Sequence, residues 1–178
     1  MPSRLTLSTL ALIAGLSALP VPCFAQSAAS SNNKVLSQAN GGFNVTAVEQ
    51  LLKEGDKAIA KGDLETAKKS YDKARDASKE LIAFYRDLSG AFRGLDARIP
   101  REMDGKGRKA LTVLAKSNLR LAALFRKQNT PEIAVPVLVE VVRLMTPAKP
   151  EGQQAYQRLV ELGFADTPYA AARRSGRN

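Results

Sequence analysis

The chain contains no histidine, no tryptophan and only one cysteine, Cys23. Without imidazole groups or a second thiol, it cannot form His/Cys zinc sites, Cys–His nucleophile–base pairs or an internal disulfide. Composition leaves paired carboxylates and Ser–Lys arrangements open, but no stretch groups such residues in a pattern typical of a catalytic site. We therefore expect a protein that is not an enzyme and that uses no metal or cofactor.

Strand-like alternation is also missing. No run rich in Val, Ile and Thr is bounded by turn residues, as a β-strand would be. From Val45 onward the apolar residues recur at helical spacing instead. The sequence therefore predicts an all-α fold.

Positive charge, by contrast, is abundant. The chain has 27 Lys and Arg residues against 17 Asp and Glu residues, a formal net charge of +10. Such a balance favours acidic partners, namely an acidic protein segment, an anionic polymer or anionic lipid. Nucleic acid is not expected, because no RNA-binding motif occurs and the export predicted below removes the usual target.

The first 25 residues have the order of a secretory signal peptide. Arg4 precedes an uncharged apolar run over residues 5–19, prolines follow, and Cys23 and Ala25 are the small residues before a cut after Ala25. The apolar run is shorter than the roughly 20 residues of a membrane-spanning helix, which favours a cleaved peptide over an uncleaved anchor. The sequence thus predicts export across the inner membrane, to the periplasm, a lumen or the medium.

Cys23 has a second interpretation, as a lipidated cysteine. A lipobox places Leu and two small residues directly before the cysteine, whereas Pro20-Val21-Pro22 stand there in this chain. Cleavage after Ala25 leaves residues 26–44, which are rich in Ser, Ala, Asn and Gly and lack apolar periodicity. We expect this segment to be a flexible tether ahead of the folded part.

Residues 48–74 predict a helix, a tight turn and a second helix. Gly62 can adopt a left-handed conformation in the turn, and Asp63 can cap the helix that follows. Asn44 or Thr46 can cap the first helix. Small and apolar residues mark the two helices at characteristic positions: Leu51, Gly55, Ala58, Gly62, Leu64, Ala67, Tyr71 and Ala74.

This spacing resembles one unit of the tetratricopeptide repeat (TPR) family, whose helix–turn–helix units are about 34 residues long. A second unit would have Leu81–Ala91 as its first helix. Its second helix departs from the pattern, because Arg101 and Gly105 stand where the motif has small and aromatic residues. A third unit fits better, since Ala122 and Ala134 correspond to Gly55 and Ala67 of the first unit, and Pro147 ends it.

The resemblance implies a short right-handed stack of antiparallel helix pairs over residues 45–164. A helix over Glu151–Leu162, closed by Gly163, would cap the apolar face of the last unit. Residues 165–178 would form a basic C-terminal tail. An irregular helical bundle with one TPR-like hairpin is the alternative.

The segment from Arg86 to Lys127 is strongly basic, with eleven Lys and Arg residues against four acidic ones. A helix predicted from about Lys109 to Lys127 has four basic residues on a face separate from its apolar residues: Lys109, Lys116, Arg120 and Lys127. We predict that this basic stripe binds a partner. The alternative is an ordinary solvated face of an amphipathic helix.

Some TPR domains hold a peptide's terminal carboxylates with a clamp of Lys, Asn and Arg side chains. The resemblance matches Lys116 and Arg120 to the clamp positions of the third unit. At the clamp positions of the first helix, however, this chain has Leu52 and Asp56. A complete clamp is therefore not expected, whereas a partial basic groove is.

Two further segments have competing interpretations. The glycines within Asp104–Lys109 favour a loop before a helix N-terminus, where free amides could bind an anion, although glycines near a helix boundary usually only turn the chain. Three aromatic residues at helical spacing are interpreted as core rather than as a ligand platform: Phe84, Tyr85 and Phe92.

Together these patterns predict an exported, non-enzymatic, TPR-like scaffold or adaptor that binds a protein partner through a groove with a basic face. The alternative is an envelope- or membrane-surface-associated factor that binds anionic polymer or lipid through the basic helix. Ionic strength distinguishes the two, because surface attraction to a polyanion weakens steeply with added salt.

Overall fold

The computed structural model describes residues 43–169. The predicted signal peptide, the tether up to Gly42 and the end of the basic tail lie outside these described residues. Within them the chain forms five α-helices and no strand, so the predicted all-α class is confirmed. The helices are α1 (Val45–Ala60), α2 (Leu64–Ala91), α3 (Arg98–Lys127), α4 (Pro131–Met145) and α5 (Pro150–Glu161).

Helix α3 is the centre of the arrangement and contacts all four other helices. Each helix packs against its neighbour in sequence, and α1 and α5 also reach α3 directly. This makes α1, α3 and α5 one layer, with α2 and α4 behind it. Helices α2 and α4 are joined by side chains, since Arg75 Nη2 donates to Glu140 Oε2 at 2.8 Å.

The α1–α2 hairpin forms as its sequence predicts. Asn44 Oδ1 accepts a hydrogen bond from the Ala47 amide at 2.8 Å, and Asp63 Oδ1 accepts one from Thr66 at 2.9 Å. These side chains satisfy amides that have no partner within the helix. Gly62 has a φ of +80° in the turn between the helices, a value that suits glycine.

Small residues let the helices approach each other. Gly55 lies directly against the Tyr71 ring, and a Cβ at Gly55 would overlap it. Alanines are completely buried at the corresponding helix contacts: Ala67, Ala74, Ala122, Ala134 and Ala155. Close packing of this kind brings many atoms into dispersion contact and makes each contact sensitive to added volume.

The prediction that a second repeat begins with its own helix is wrong. Leu81–Ala91 is not a helix of its own but the second half of α2, which runs unbroken for 28 residues. No Gly or Pro occurs between Leu64 and Ser89 to interrupt it. The described chain therefore contains two hairpins, α1–α2 and α3–α4, joined through a third, longer hairpin of α2 against α3 and followed by α5.

The predicted loop at Asp104–Lys109 is also wrong, because these residues lie inside α3. The 30-residue helix already begins at Arg98, with Pro100 in its first turn, where a missing amide hydrogen is tolerated. Packing against α2 outweighs the low helix propensity of the two glycines. Ser89 Oγ, for example, donates to Asp104 Oδ1 at 2.9 Å.

The aromatic prediction holds only in part. Tyr85 is buried, whereas Phe84 is 46% exposed and Phe92 is half-buried. Phe84 packs edge-on against Phe43, which lies just before α1, with ring centroids 5.6 Å apart. Helical spacing alone predicts Phe84 in the core, but on α2 it lies beside Phe43 at the edge of the packed helices.

Candidate binding groove

A groove of about 990 Å³ lies between α3 and α5. Helix α3 forms one wall and α5 the other, and each wall combines polar side chains with apolar surface. The charged and amide side chains that line it are Lys116, Arg120 and Arg126 from α3, and Glu151, Gln153, Gln154, Gln157, Arg158 and Glu161 from α5.

The position of the second wall, α5, is determined by the turn that precedes this helix. Helix α4 ends at Met145, and the chain turns through Thr146, where φ is +54°. Gly152 then lies so close to the turn that a Cβ would overlap the Thr146 backbone. Ala155 and Leu159 bury the inner face of α5, which leaves its glutamines on the groove side.

On the other side of α3, the contact with α1 is filled by three interacting side chains. Arg120 donates to the Asp56 carboxylate through two bonds, Nε to Oδ1 at 2.8 Å and Nη2 to Oδ2 at 2.9 Å. The Tyr71 hydroxyl donates to Asp56 Oδ1 at 2.7 Å. We call Asp56, Tyr71 and Arg120 the closed cluster, because its carboxylate and guanidinium groups are paired with each other.

The closed cluster alters the proton affinities of its members. Hydrogen bonding from Arg120, supported by Tyr71, holds the pKa of Asp56 below its usual range despite partial burial. The same bonds raise the pKa of Arg120. Burial, together with the neighbouring carboxylate, raises the pKa of Tyr71 well above its usual range. At neutral pH the cluster is therefore an ion pair with a neutral phenol.

In the groove the charges are less completely matched. Arg126 Nη1 makes a single bond to Glu161 Oε2 at 3.2 Å. Arg158 Nη1 donates to the Leu119 carbonyl oxygen at 2.7 Å but forms no ion pair within residues 43–169. Burial, followed by repulsion from Arg126, lowers the pKa of Arg158. A nearby anion favours the charged guanidinium and so offsets both effects, as Glu161 already does in part.

Other polar side chains in the groove have no internal partner. Among the described residues, Lys116 makes no hydrogen bond or ion pair, and it is exposed. The side chains of Gln153, Gln154 and Gln157 line the groove and are likewise unbonded within that part of the chain. The groove thus offers a free ammonium group together with amide donors and acceptors.

Of the four predicted stripe residues, two line the groove and two lie outside it. Lys116 and Arg120 line the groove, although Arg120 is already paired with Asp56. Lys109 and Lys127 are exposed on the same helix and do not line it. Sequence reasoning missed the α5 wall, where three glutamines within five residues on the polar side of a short helix were the available signal.

Residues 43–169 lack two other features that would indicate a function. No group of three or more acidic or cysteine side chains in this part of the chain is placed to hold a metal ion. None of the helices described there is long and apolar enough to cross a membrane.

Neither protein-family models, nor curated proteins, nor solved structures give a match to this chain. The geometry of the groove and the residues that line it therefore provide the basis for a functional proposal.

Proposed function

We propose that this protein is an exported, non-enzymatic scaffold that holds an extended segment of a partner protein in the α3–α5 groove. The observation that carries the proposal is the set of unengaged polar side chains in the groove, Lys116 and the α5 glutamines. Ligand sites are concave and use a small number of polar groups to orient the ligand, and these side chains supply such groups along one groove.

The groove chemistry matches an extended peptide. A peptide backbone presents one donor and one acceptor per residue, and each glutamine amide offers both kinds of group. Lys116 and Arg158 add positive charge from opposite walls and would favour an acidic side chain or a terminal carboxylate. The ligand class we propose is therefore an extended segment with at least one carboxylate.

The remaining parts of the proposal come from the sequence. The signal-peptide pattern of residues 1–25 supports export, and the absence of His and the lack of a carboxylate grouping support a non-enzymatic role. The TPR-like character of the two hairpins is part of the proposal. It is supported by buried small residues at the expected positions, namely Gly55 and Ala67 in one hairpin and Ala122 and Ala134 in the other.

Selection from a display library of short random peptides tests this function. We expect enriched peptides to contain an acidic residue and to bind Lys116→Glu about tenfold more weakly, as for the loss of one charge-assisted hydrogen bond. Lys109→Glu is the matched control, because it makes the same charge change on the same helix outside the groove. Equal weakening by both variants would reject the groove as the site.

Salt dependence tests the alternative of a surface factor that binds anionic polymer or lipid through the α3 stripe. Lys109 and Lys127 are exposed and form no ion pair within residues 43–169, which is the observation that favours it. Stripe binding would be lost in Lys109→Glu and would decline steeply with salt. Groove binding would survive Lys109→Glu.

A further inference from the structure

The connection between α2 and α3 is a short turn with an ordered backbone. Gly94 has a φ of +87°, and the Phe92 carbonyl oxygen accepts bonds from the Leu95 amide at 3.0 Å and the Asp96 amide at 3.2 Å. The Arg93 amide donates to Gly90 at 3.2 Å. These bonds fix the conformation of the turn. We call the turn and the first turn of α3, residues 92–101, the hairpin tip.

The hairpin tip holds an apolar side chain in solvent. Leu95 is 80% exposed, a larger fraction than any other large apolar side chain exposed in the described chain. A single exposed leucine is common on protein surfaces, but this one lies at the apex of a hydrogen-bonded turn. Its position is therefore set by the backbone.

The hairpin tip extends past the first helix. Phe43, just before α1, meets α2 at Phe84, and α2 continues from there to Ala91. At 1.5 Å per residue this adds about 10 Å. Over this length α3 lies alongside α2, as shown by the Ser89–Asp104 hydrogen bond. The hairpin tip is thus placed to reach a flat surface beyond α1.

Three arginines lie close to Leu95 in the sequence of the hairpin tip. Arg93, Arg98 and Arg101 are exposed, and Asp96 is the only acidic residue between Phe92 and Arg101. Arg98 pairs with Asp96 at 2.7 Å, whereas Arg93 and Arg101 form no ion pair within residues 43–169. An apolar apex bordered by unpaired guanidinium groups combines the two attractions that an anionic bilayer offers, phosphate groups and an acyl boundary.

We propose that the hairpin tip docks on an anionic lipid membrane, with Leu95 entering the acyl boundary and Arg93 and Arg101 contacting lipid phosphates. An anionic polymer would satisfy the arginines but would gain nothing from Leu95. The hairpin tip shares no residue with the α3–α5 groove, so the lipid proposal and the peptide proposal fail or succeed independently.

Co-sedimentation with lipid vesicles tests the charged part of the proposal. The protein is expected to bind vesicles that contain phosphatidylglycerol and not vesicles of phosphatidylcholine alone. Arg93→Glu/Arg101→Glu should weaken this binding by at least about tenfold. Lys53→Glu/Lys57→Glu is the matched control, because it makes the same charge change at exposed, unpaired positions on α1. Equal losses in both variants would mean attraction by net charge and would overturn the proposal.

The apolar part is tested by Leu95→Ser, which leaves the charge unchanged. Binding should fall several-fold, while Ile133→Ser, at an exposed position on α4, should bind as the unmodified protein does. Competition by a soluble polyanion with no effect of Leu95→Ser would identify a polymer ligand and overturn the lipid proposal.

The natural absence of tryptophan provides a direct report of insertion. In Leu95→Trp the only indole is at the apex, so its emission should shift to the blue on vesicles with phosphatidylglycerol and be quenched by brominated lipids. An emission spectrum unchanged by such vesicles would show that the apex stays in water, and would exclude this docking mode. Far-ultraviolet circular dichroism of each variant checks that it is folded.

Discussion

Helix α3 meets α1 on one side and α5 on the other, and charged side chains lie at both contacts. At α1, Asp56 is bound by two bonds from Arg120 and a third from Tyr71. At α5, Lys116 is unpaired within the described residues and Arg158 bonds only to a backbone oxygen. One helix thus contributes to a contact that is chemically complete and to another that retains free polar groups.

The difference indicates which contact contributes to stability and which can bind a ligand. A carboxylate bound by three donors contributes to stability and leaves little binding capacity for a ligand. Free ammonium and amide groups beside a groove contribute little to stability and can bind a partner. Four predictions test this division, in order of expected effect.

Gly152→Ala should have the largest effect, because the new Cβ would overlap the Thr146 backbone, which cannot rotate away as a side chain can. We expect a loss of about 3 kcal/mol in the free energy of unfolding, measured by urea denaturation, from strain at the start of α5. The peptide affinity of the groove should fall as well, because α5 is one of its walls.

Gly90→Ala is the control for Gly152→Ala. It makes the same chemical change in an exposed turn of α2, where a Cβ would meet no atom. Helix propensity alone should then raise stability by up to about 1 kcal/mol. A Gly152→Ala protein as stable as the unmodified chain would show that α5 is not held against the Thr146 turn.

Gly55→Ala comes next, with an expected loss of about 2 kcal/mol. The added Cβ would overlap the Tyr71 ring, so the ring must move and its bond to Asp56 is strained. The α3–α4 hairpin has Ala122 where α1 has Gly55, and Leu138 follows Ala134 by the same number of residues as Tyr71 follows Ala67. Gly55→Ala combined with Tyr71→Leu should therefore recover part of the loss, measured as a non-additive double-mutant cycle.

Much of the α1–α2 hairpin could be predicted because its signals are local. Asn44, Gly62 and Asp63 act on amides or dihedral angles within a few residues, so the sequence alone identifies them. The continuous α2 and α3 could not be predicted in this way. Gly105 and Gly107 favour a loop locally, and only the packing of α3 against α2 outweighs them.

The ion pair between Asp56 and Arg120 also could not be predicted from local sequence signals. Both residues were recognised as clamp positions, but a scheme of three repeats separates their helices by a full unit. Because residues 64–91 form one helix, and so do residues 98–127, α1 lies directly beside α3. The pairing is thus a consequence of helix continuity over long distances, which no local motif reveals.

Asp56→Asn should cost about 1 kcal/mol, a moderate value because the ion pair is bidentate but partly exposed. Since the pKa of Asp56 is lowered in the folded state, its stabilising contribution is present above about pH 4 and is lost as pH falls through the folded value. The stability difference between the two proteins, measured by urea denaturation, should therefore be constant near neutrality and shrink in acid. A difference that grows on acidification would contradict this role for Asp56.

The smallest effect is expected for the ion pair across the groove, Arg126 with Glu161. It consists of one bond at 3.2 Å between side chains that are 40% and 46% exposed, and exposed pairs of this kind contribute little. A double-mutant cycle of Arg126→Gln and Glu161→Gln should give a coupling energy of about 0.3 kcal/mol. The same cycle for Asp56 and Arg120, with Asn and Gln, should give about 1 kcal/mol. Equal coupling energies would remove the distinction between a contact that is complete and one that is open, since the groove would then be held by its charges as firmly as α1 is.

A weak coupling at Arg126 has a further consequence, because an arginine that is not strongly held by Glu161 can turn toward an acidic ligand at little cost. Glu161→Gln should then leave stability nearly unchanged while raising the groove's affinity for acidic peptides, measured by fluorescence titration.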